Sequence, residues 1–140
     1  MMRLVPGLLL LFLLQINAHA GELEKGVAAF DAGKYQQAID HWLPLAEGDN
    51  AEAQLFMGVL YRHGLGVEMD PKQAAYWYER AANNGDVDAQ GEMGFIYEQG
   101  WGVPQDIWIA ESWYDLVQQH DVCVSDTLPN GRLIVEDHLK

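Results

Sequence analysis

Residues 51–86 and 87–122 align on each other without a gap at an offset of 36, and twelve of those 36 positions are identical. The pairs are Ala53/Ala89, Gln54/Gln90, Met57/Met93, Gly58/Gly94, Tyr61/Tyr97, Gly64/Gly100, Gly66/Gly102, Val67/Val103, Asp70/Asp106, Ala74/Ala110, Trp77/Trp113 and Tyr78/Tyr114. Glycine, alanine and aromatic residues dominate the set, which are packing residues more than surface ones. A period in the thirties builds stacked helical pairs, because one such unit cannot bury its apolar side alone. A fold of this kind is mainly a binding surface.

Each unit reads as two antiparallel helices. Ala51 to His63 carries apolar residues at a helical period of about 3.6. Gly64-Leu65-Gly66-Val67 ends it, since glycine tolerates the left-handed conformation of a helix stop. Asp70 at the cap, Pro71 at the first helical position and Gln73 two residues later signal a second helix with a reciprocal capping box. It runs through Ala74, Trp77, Tyr78, Ala81 and Ala82 to a glycine stop at Asn84-Gly85. The second unit repeats the layout from Asp86, with Gly100 to Val103 as its inner turn and Asp106 as its cap. Gly58 and Gly94 stand mid-helix, where Gly costs roughly 1 kcal/mol relative to Ala, so a close approach is expected there. Tyr61, Trp77 and Tyr78 are expected to fill the spaces between helices; an aromatic ligand box at Trp77-Tyr78 and Trp113-Tyr114 is the competing reading.

A shorter hairpin precedes the repeats, built from Gly26, Phe30, Gly33-Lys34-Tyr35, Ala38, Trp42 and Leu45-Ala46. Ala38 falls 36 residues before Ala74, Glu47-Gly48-Asp49 closes the hairpin, and Pro44 is expected to shorten or bend its second helix. After Tyr114 the pattern changes: Val117-Gln118 and Asp121 replace Ala81-Ala82 and Gly85, putting bulk or charge where a further helix would dock. The tail from Asp121 carries a turn at Leu128 to Gly131 and an apolar stretch, Leu133-Ile134-Val135 to Leu139, expected to cap the last unit.

The first twenty residues have the form of an export signal: Arg3, an apolar run from Leu4 to Ile16, and the small-x-small site Ala18-His19-Ala20. The run is shorter than the about 20 apolar residues that span a bilayer, and Pro6 and Gly7 interrupt it. The expected organisation is therefore a signal peptide (1–20), a helical hairpin (21–48), two repeats (49–85 and 86–120) and a C-terminal cap (121–140). The expected location is periplasmic or secreted, with no membrane insertion of the mature chain. Loss of Arg3 leaves 7 basic against 21 acidic residues in the remaining 120, a balance that argues against nucleic acid and anionic membranes as partners. Cys123 is the single cysteine, so no intramolecular disulfide can form. A monomer with a buried thiol is expected, and a Cys123-linked dimer is the alternative.

The segment 51–122 resembles tandem Sel-one-like repeats, relatives of tetratricopeptide repeats, on the pattern Ala-x-Ala, Met-Gly, Tyr, Gly-x-Gly-Val, Asp, Ala, Trp-Tyr. The segment 26–46 resembles an ordinary tetratricopeptide unit. The resemblance implies an all-α, short right-handed α-solenoid of antiparallel helix pairs. It also implies an adaptor role for envelope, secretion or polysaccharide-assembly proteins. Cysteine-rich relatives have been described as binding or hydrolysing β-lactams, but they carry a cysteine pair in each repeat, which this chain lacks. A small envelope enzyme or a binder of cell-wall fragments is thus the second reading.

The residues themselves suggest no catalysis, cofactor or metal. His41, His63, His120 and His138 show no pair at metal-binding spacing, and His19 belongs to the signal. His120 and Cys123 would sit one helical turn apart but have no third orienting group. There is no phosphate loop or dinucleotide fingerprint. Binding to a protein or peptide is instead expected on the face of the first helices, at Leu55, Val59, Arg62 and His63 in one unit. In the other unit the matching places are Phe95, Glu98 and Gln99, with Glu92 nearby. There the two units differ while their packing residues agree, and the mixture of apolar and charged groups suits a short peptide or helix.

Overall fold

The computed structural model describes the backbone over residues 21–125 and side chains through residue 120. Among the described residues there are six helices and no strand: α1 (21–31), α2 (Tyr35–Glu47), α3 (Ala51–His63), α4 (Pro71–Asn83), α5 (Val87–Gln99) and α6 (Ile107–Ser125). They form three hairpins, α1/α2, α3/α4 and α5/α6. Successive hairpins stack through α2 on α3 and α4 on α5, giving an all-α solenoid.

Short polar side chains start the helices. Ala53 donates its backbone N–H to Asn50 at 2.8 Å, Ala89 to Asp86 at 2.8 Å and Ile109 to Asp106 at 3.1 Å. Asp70 accepts from the N–H groups of Lys72 and Gln73, at 2.9 and 3.2 Å. The reciprocal half of the expected capping box is replaced by another bond. Asp70 donates its own N–H to the carbonyl of Tyr61 at 3.0 Å, so Gln73 has no free donor to receive. Asp106 does the same to Tyr97 at 2.9 Å. Both bonds tie the end of the inner turn back to the helix that precedes it. Pro44 neither stops nor shortens α2, which continues to Glu47.

The two glycines of each inner turn have separate tasks. Gly64 and Gly100 end α3 and α5 in the left-handed conformation. Gly66 and Gly102 press the turn against the preceding hairpin: a Cβ on Gly102 would lie 2.3 Å from the Pro71 carbonyl oxygen, and one on Gly66 2.8 Å from the Tyr35 Cβ. The turn therefore docks on the N-terminus of the previous unit's second helix. The mid-helix glycines seat a ring from their own hairpin. Cβ atoms on Gly26, Gly58 and Gly94 would lie 2.0, 2.7 and 2.4 Å from Trp42, Tyr78 and Tyr114.

Two apolar clusters result. One gathers Trp42, Leu45, Met57, Leu60 and Trp77; the other gathers Ala75, Tyr78, Ala81, Met93 and Ile96. Trp77 and Tyr78 thus enter different cores, at 6% and 1% exposure, which excludes an aromatic ligand box at this pair. Trp113, their counterpart in sequence, is only partly buried, because no described helix packs beyond α6. Polar stitching joins the units as well. Buried Gln54 donates to the Ala46 carbonyl at 2.9 Å and accepts from Asn84 at 2.9 Å, and Gln90 donates to the Ala82 carbonyl at 3.2 Å. α6 runs on to Ser125, past the position where the tail was expected to start, since Asp121 stands where Gly85 ends α4. The expected turn and cap at 128–139, and the Cys123 side chain, lie outside the described residues.

Candidate protein-binding face

The first helices of the three hairpins, α1, α3 and α5, lie side by side, and their seating glycines set the register. One residue after Gly26, Gly58 and Gly94 come Val27, Val59 and Phe95; four after come Phe30, Arg62 and Glu98; two before come Glu24, Phe56 and Glu92. All of these positions except Glu24 and Glu98 line two depressions that flank α3.

The depression between α3 and α5 is about 670 Å³ and is lined by Arg62, Asp88, Glu92 and Phe95, with Val87 and Val117 at its edges. Arg62 is its organising residue. It reaches from one unit to the next and forms an ion pair with Glu92. Its guanidinium also lies 5.3 Å from the centroid of the Phe95 ring and 5.9 Å from that of Trp101, a cation–π arrangement on two rings. Phe95 keeps 40% of its surface exposed. Beneath the pair lies Tyr78, whose hydroxyl pKa is pushed up to about 12 by burial, then by the Glu92 charge, with Arg62 opposing.

The depression between α1 and α3 has different chemistry. It is about 270 Å³ and is lined by Val27, Phe30, Trp42, Phe56 and Val59, with Asp31 as its charged member. Phe56 stacks on Trp42 with ring centroids 4.4 Å apart. Val59 borders this depression and lies one helical turn before Arg62, so the two depressions adjoin across α3.

Of the residues expected on this face, Arg62, Glu92 and Phe95 come together, with Val59 beside them. Leu55 and Val59 are partly buried against the second core cluster, so they support the face more than they present it. His63 and Gln99 are exposed at the last positions of α3 and α5. Glu98 points elsewhere: it accepts a hydrogen bond from the Tyr114 hydroxyl at 3.1 Å, within its own hairpin. Tyr114 consequently has a raised pKa, from burial first and the Glu98 bond second. The apolar walls Val27, Phe30 and Phe56 were not singled out by sequence. The signal was present but shifted: Gly26 precedes Gly58 by 32 residues, because the turn inside the first hairpin is four residues shorter than the turn 64–70. Among the described residues there is no group of three or more His, Cys, Asp or Glu able to hold a metal ion. No described helix is long and apolar enough to cross a membrane.

The family model for the Sel1 repeat matches residues 51–86 and 87–116. The chain carries two Sel1 repeats. The first matched segment spans hairpin α3/α4 from the first residue of α3, and the second covers α5 and the first part of α6. A crystal structure of a Sel1 repeat protein from Oxalobacter formigenes is similar at 34% identity and a TM-score of 0.67, over 71% of this chain and 41% of that one. The crystal structure of c5321, a protective antigen present in uropathogenic Escherichia coli strains displaying an SLR fold, is similar at 26% identity and a TM-score of 0.71. That match covers 81% of this chain and 25% of c5321. The chain thus spans less than half the length of either neighbour. No curated protein is similar enough to count as a match. Sel1 repeats indicate a protein–protein interaction module.

Proposed function

We propose that this Sel1-repeat chain is an exported adaptor that holds a peptide or helix of an envelope or secretion-pathway protein against the face of α1, α3 and α5. The observation that carries the reading is the Arg62–Glu92–Phe95 assembly. It joins two repeats across a groove, at positions where the repeats differ in sequence while the seating glycines, the rings they seat and the turn glycines are shared. The buried glutamines that stitch the units, Gln54 and Gln90, do match. Arg62 and Glu98 are counterparts of opposite charge. The export half of the reading rests on the apolar run and the Ala18-His19-Ala20 site. With three hairpins the groove is short, so modest affinity is expected unless the partner also touches residues outside it.

The test changes Phe95 and Arg62 to Ala together. Helicity by circular dichroism should survive, because Phe95 is exposed and Arg62 lies at the edge of the core, while capture of an envelope partner should drop. Undiminished capture would move the interface to the outer face or the tail. Turnover of β-lactams or cell-wall fragments by the purified chain would replace the adaptor reading with the enzymatic one.

A further inference from the structure

We infer that the segment gripped by this face is cationic with one bulky apolar side chain at its centre, a class of partner that follows from the adaptor reading and is narrower than it. The apolar depression between α1 and α3 is lined by Val27, Phe30, Phe56 and Val59, with Trp42 also in its wall. Its volume of about 270 Å³ is enough for one Leu, Met or Phe side chain and too small for a folded element. Val27 is 36% exposed, so the apolar surface is open to a ligand.

Carboxylates surround that depression. A neighbouring hollow shares Val27 and Asp31 with it and adds Glu24 and Glu52, all three acids being exposed. On the other side of α3, Asp88 and Glu92 line the larger groove. The basic residue in these walls is Arg62, and Glu92 already engages it. An apolar seat between acidic rims attracts a segment with Lys or Arg on either side of its anchor. It repels an acidic one, and apolar walls strengthen both effects. The whole chain, at −13, biases encounter the same way.

The probe is a synthetic peptide Lys-Lys-Ser-Phe-Ser-Lys-Lys, set beside a version with every Lys replaced by Glu and a version with Phe replaced by Gly. Binding to the purified chain is read by fluorescence anisotropy, and the site by amide resonances of Val27, Phe56 and Val59. Only the first peptide should bind and shift those resonances. Its Kd should rise about tenfold or more when salt is raised well above physiological strength, and by a similar factor in Asp31→Lys/Glu52→Lys. Both substituted residues are exposed, so the double variant should keep its helicity and melting temperature. Equal binding of the acidic peptide, or affinity indifferent to salt and to the charge reversal, would overturn the cationic class while leaving the groove as the binding face. No resonance shift in the groove with any peptide overturns the inference. If Phe95→Ala/Arg62→Ala also leaves partner capture intact, the adaptor face itself falls.

Discussion

Gly58 and Gly94 occupy identical positions in the two repeats, yet alanine should affect them differently. At Gly58 the new Cβ would lie 2.7 Å from Cδ1 and 2.8 Å from Cε1 of Tyr78, well inside contact distance. Tyr78 is 1% exposed and wedged among Ala75, Ala81, Met93 and Ile96, so its ring has nowhere to go. Overpacking of a filled core costs roughly 1–3 kcal/mol, and this site belongs at the upper end. Replacing a mid-helix Gly by Ala recovers about 1 kcal/mol. The net expectation for Gly58→Ala is a loss of about 2 kcal/mol, which for a domain of this size lowers Tm by roughly 10 °C. At Gly94 the same Cβ would lie 2.4 Å from Cε1 of Tyr114, a shorter approach. Tyr114, however, sits on α6 with no described helix beyond it and is only partly buried, so the ring can swing away. Its hydrogen bond to Glu98 would be given up, at about 1 kcal/mol, and the helical gain offsets that. Gly94→Ala should therefore melt within a few degrees of the parent. Thermal melts by circular dichroism measure both, and Gly58→Ala in a Tyr78→Leu background should cost much less than in the parent. Equal losses at the two glycines would refute the reasoning. So would an undiminished cost of Gly58→Ala once the Tyr78 ring is gone.

Three further outcomes are expected. Trp77→Ala should cost roughly 3–5 kcal/mol, the usual result of truncating a buried large aromatic, whereas Trp113→Ala should cost clearly less because its ring is partly exposed; chemical denaturation curves compare the two. Tyr78 has a folded pKa of about 12 against 10 for the free side chain, so it favours folding fully below pH 10 and progressively less as pH rises toward 12. In an absorbance titration Tyr78 should be the last tyrosine to ionise, with the onset of unfolding, and Tyr78→Phe should remove that last step. Intact-mass analysis of exported protein should find Gly21 as the first residue, and retention of residues 1–20 would make the segment an anchor.

The parts of this structure that were legible in sequence are those made by local chemistry repeated twice. Asp70-Pro71 and Asp106 start helices wherever they occur, and Gly64 and Gly100 end them, so α3, α4 and α5 could be bounded closely from residue types alone. Counting from Gly58 and Gly94 also carried Arg62 and Phe95, with Glu92 nearby, to one face, although the three stand at different offsets from those glycines. Two kinds of information were out of reach. The apolar half of the face depends on α1, whose register is displaced by the shorter turn at 32–34, and no fixed period of 36 could bring Val27 and Phe30 beside Phe56. The other is position in the stack. Arg62 finds Glu92 on the next hairpin, whereas Glu98, its counterpart, has no next hairpin among the described residues and turns back to Tyr114. Trp77 is enclosed and Trp113 is not, for the same reason. Identical residues in a solenoid share a conformation but not a neighbour. The difference between the repeats therefore arises at the residues that reach across a junction, and on the proposed adaptor reading Arg62 is the one whose replacement should separate binding from folding.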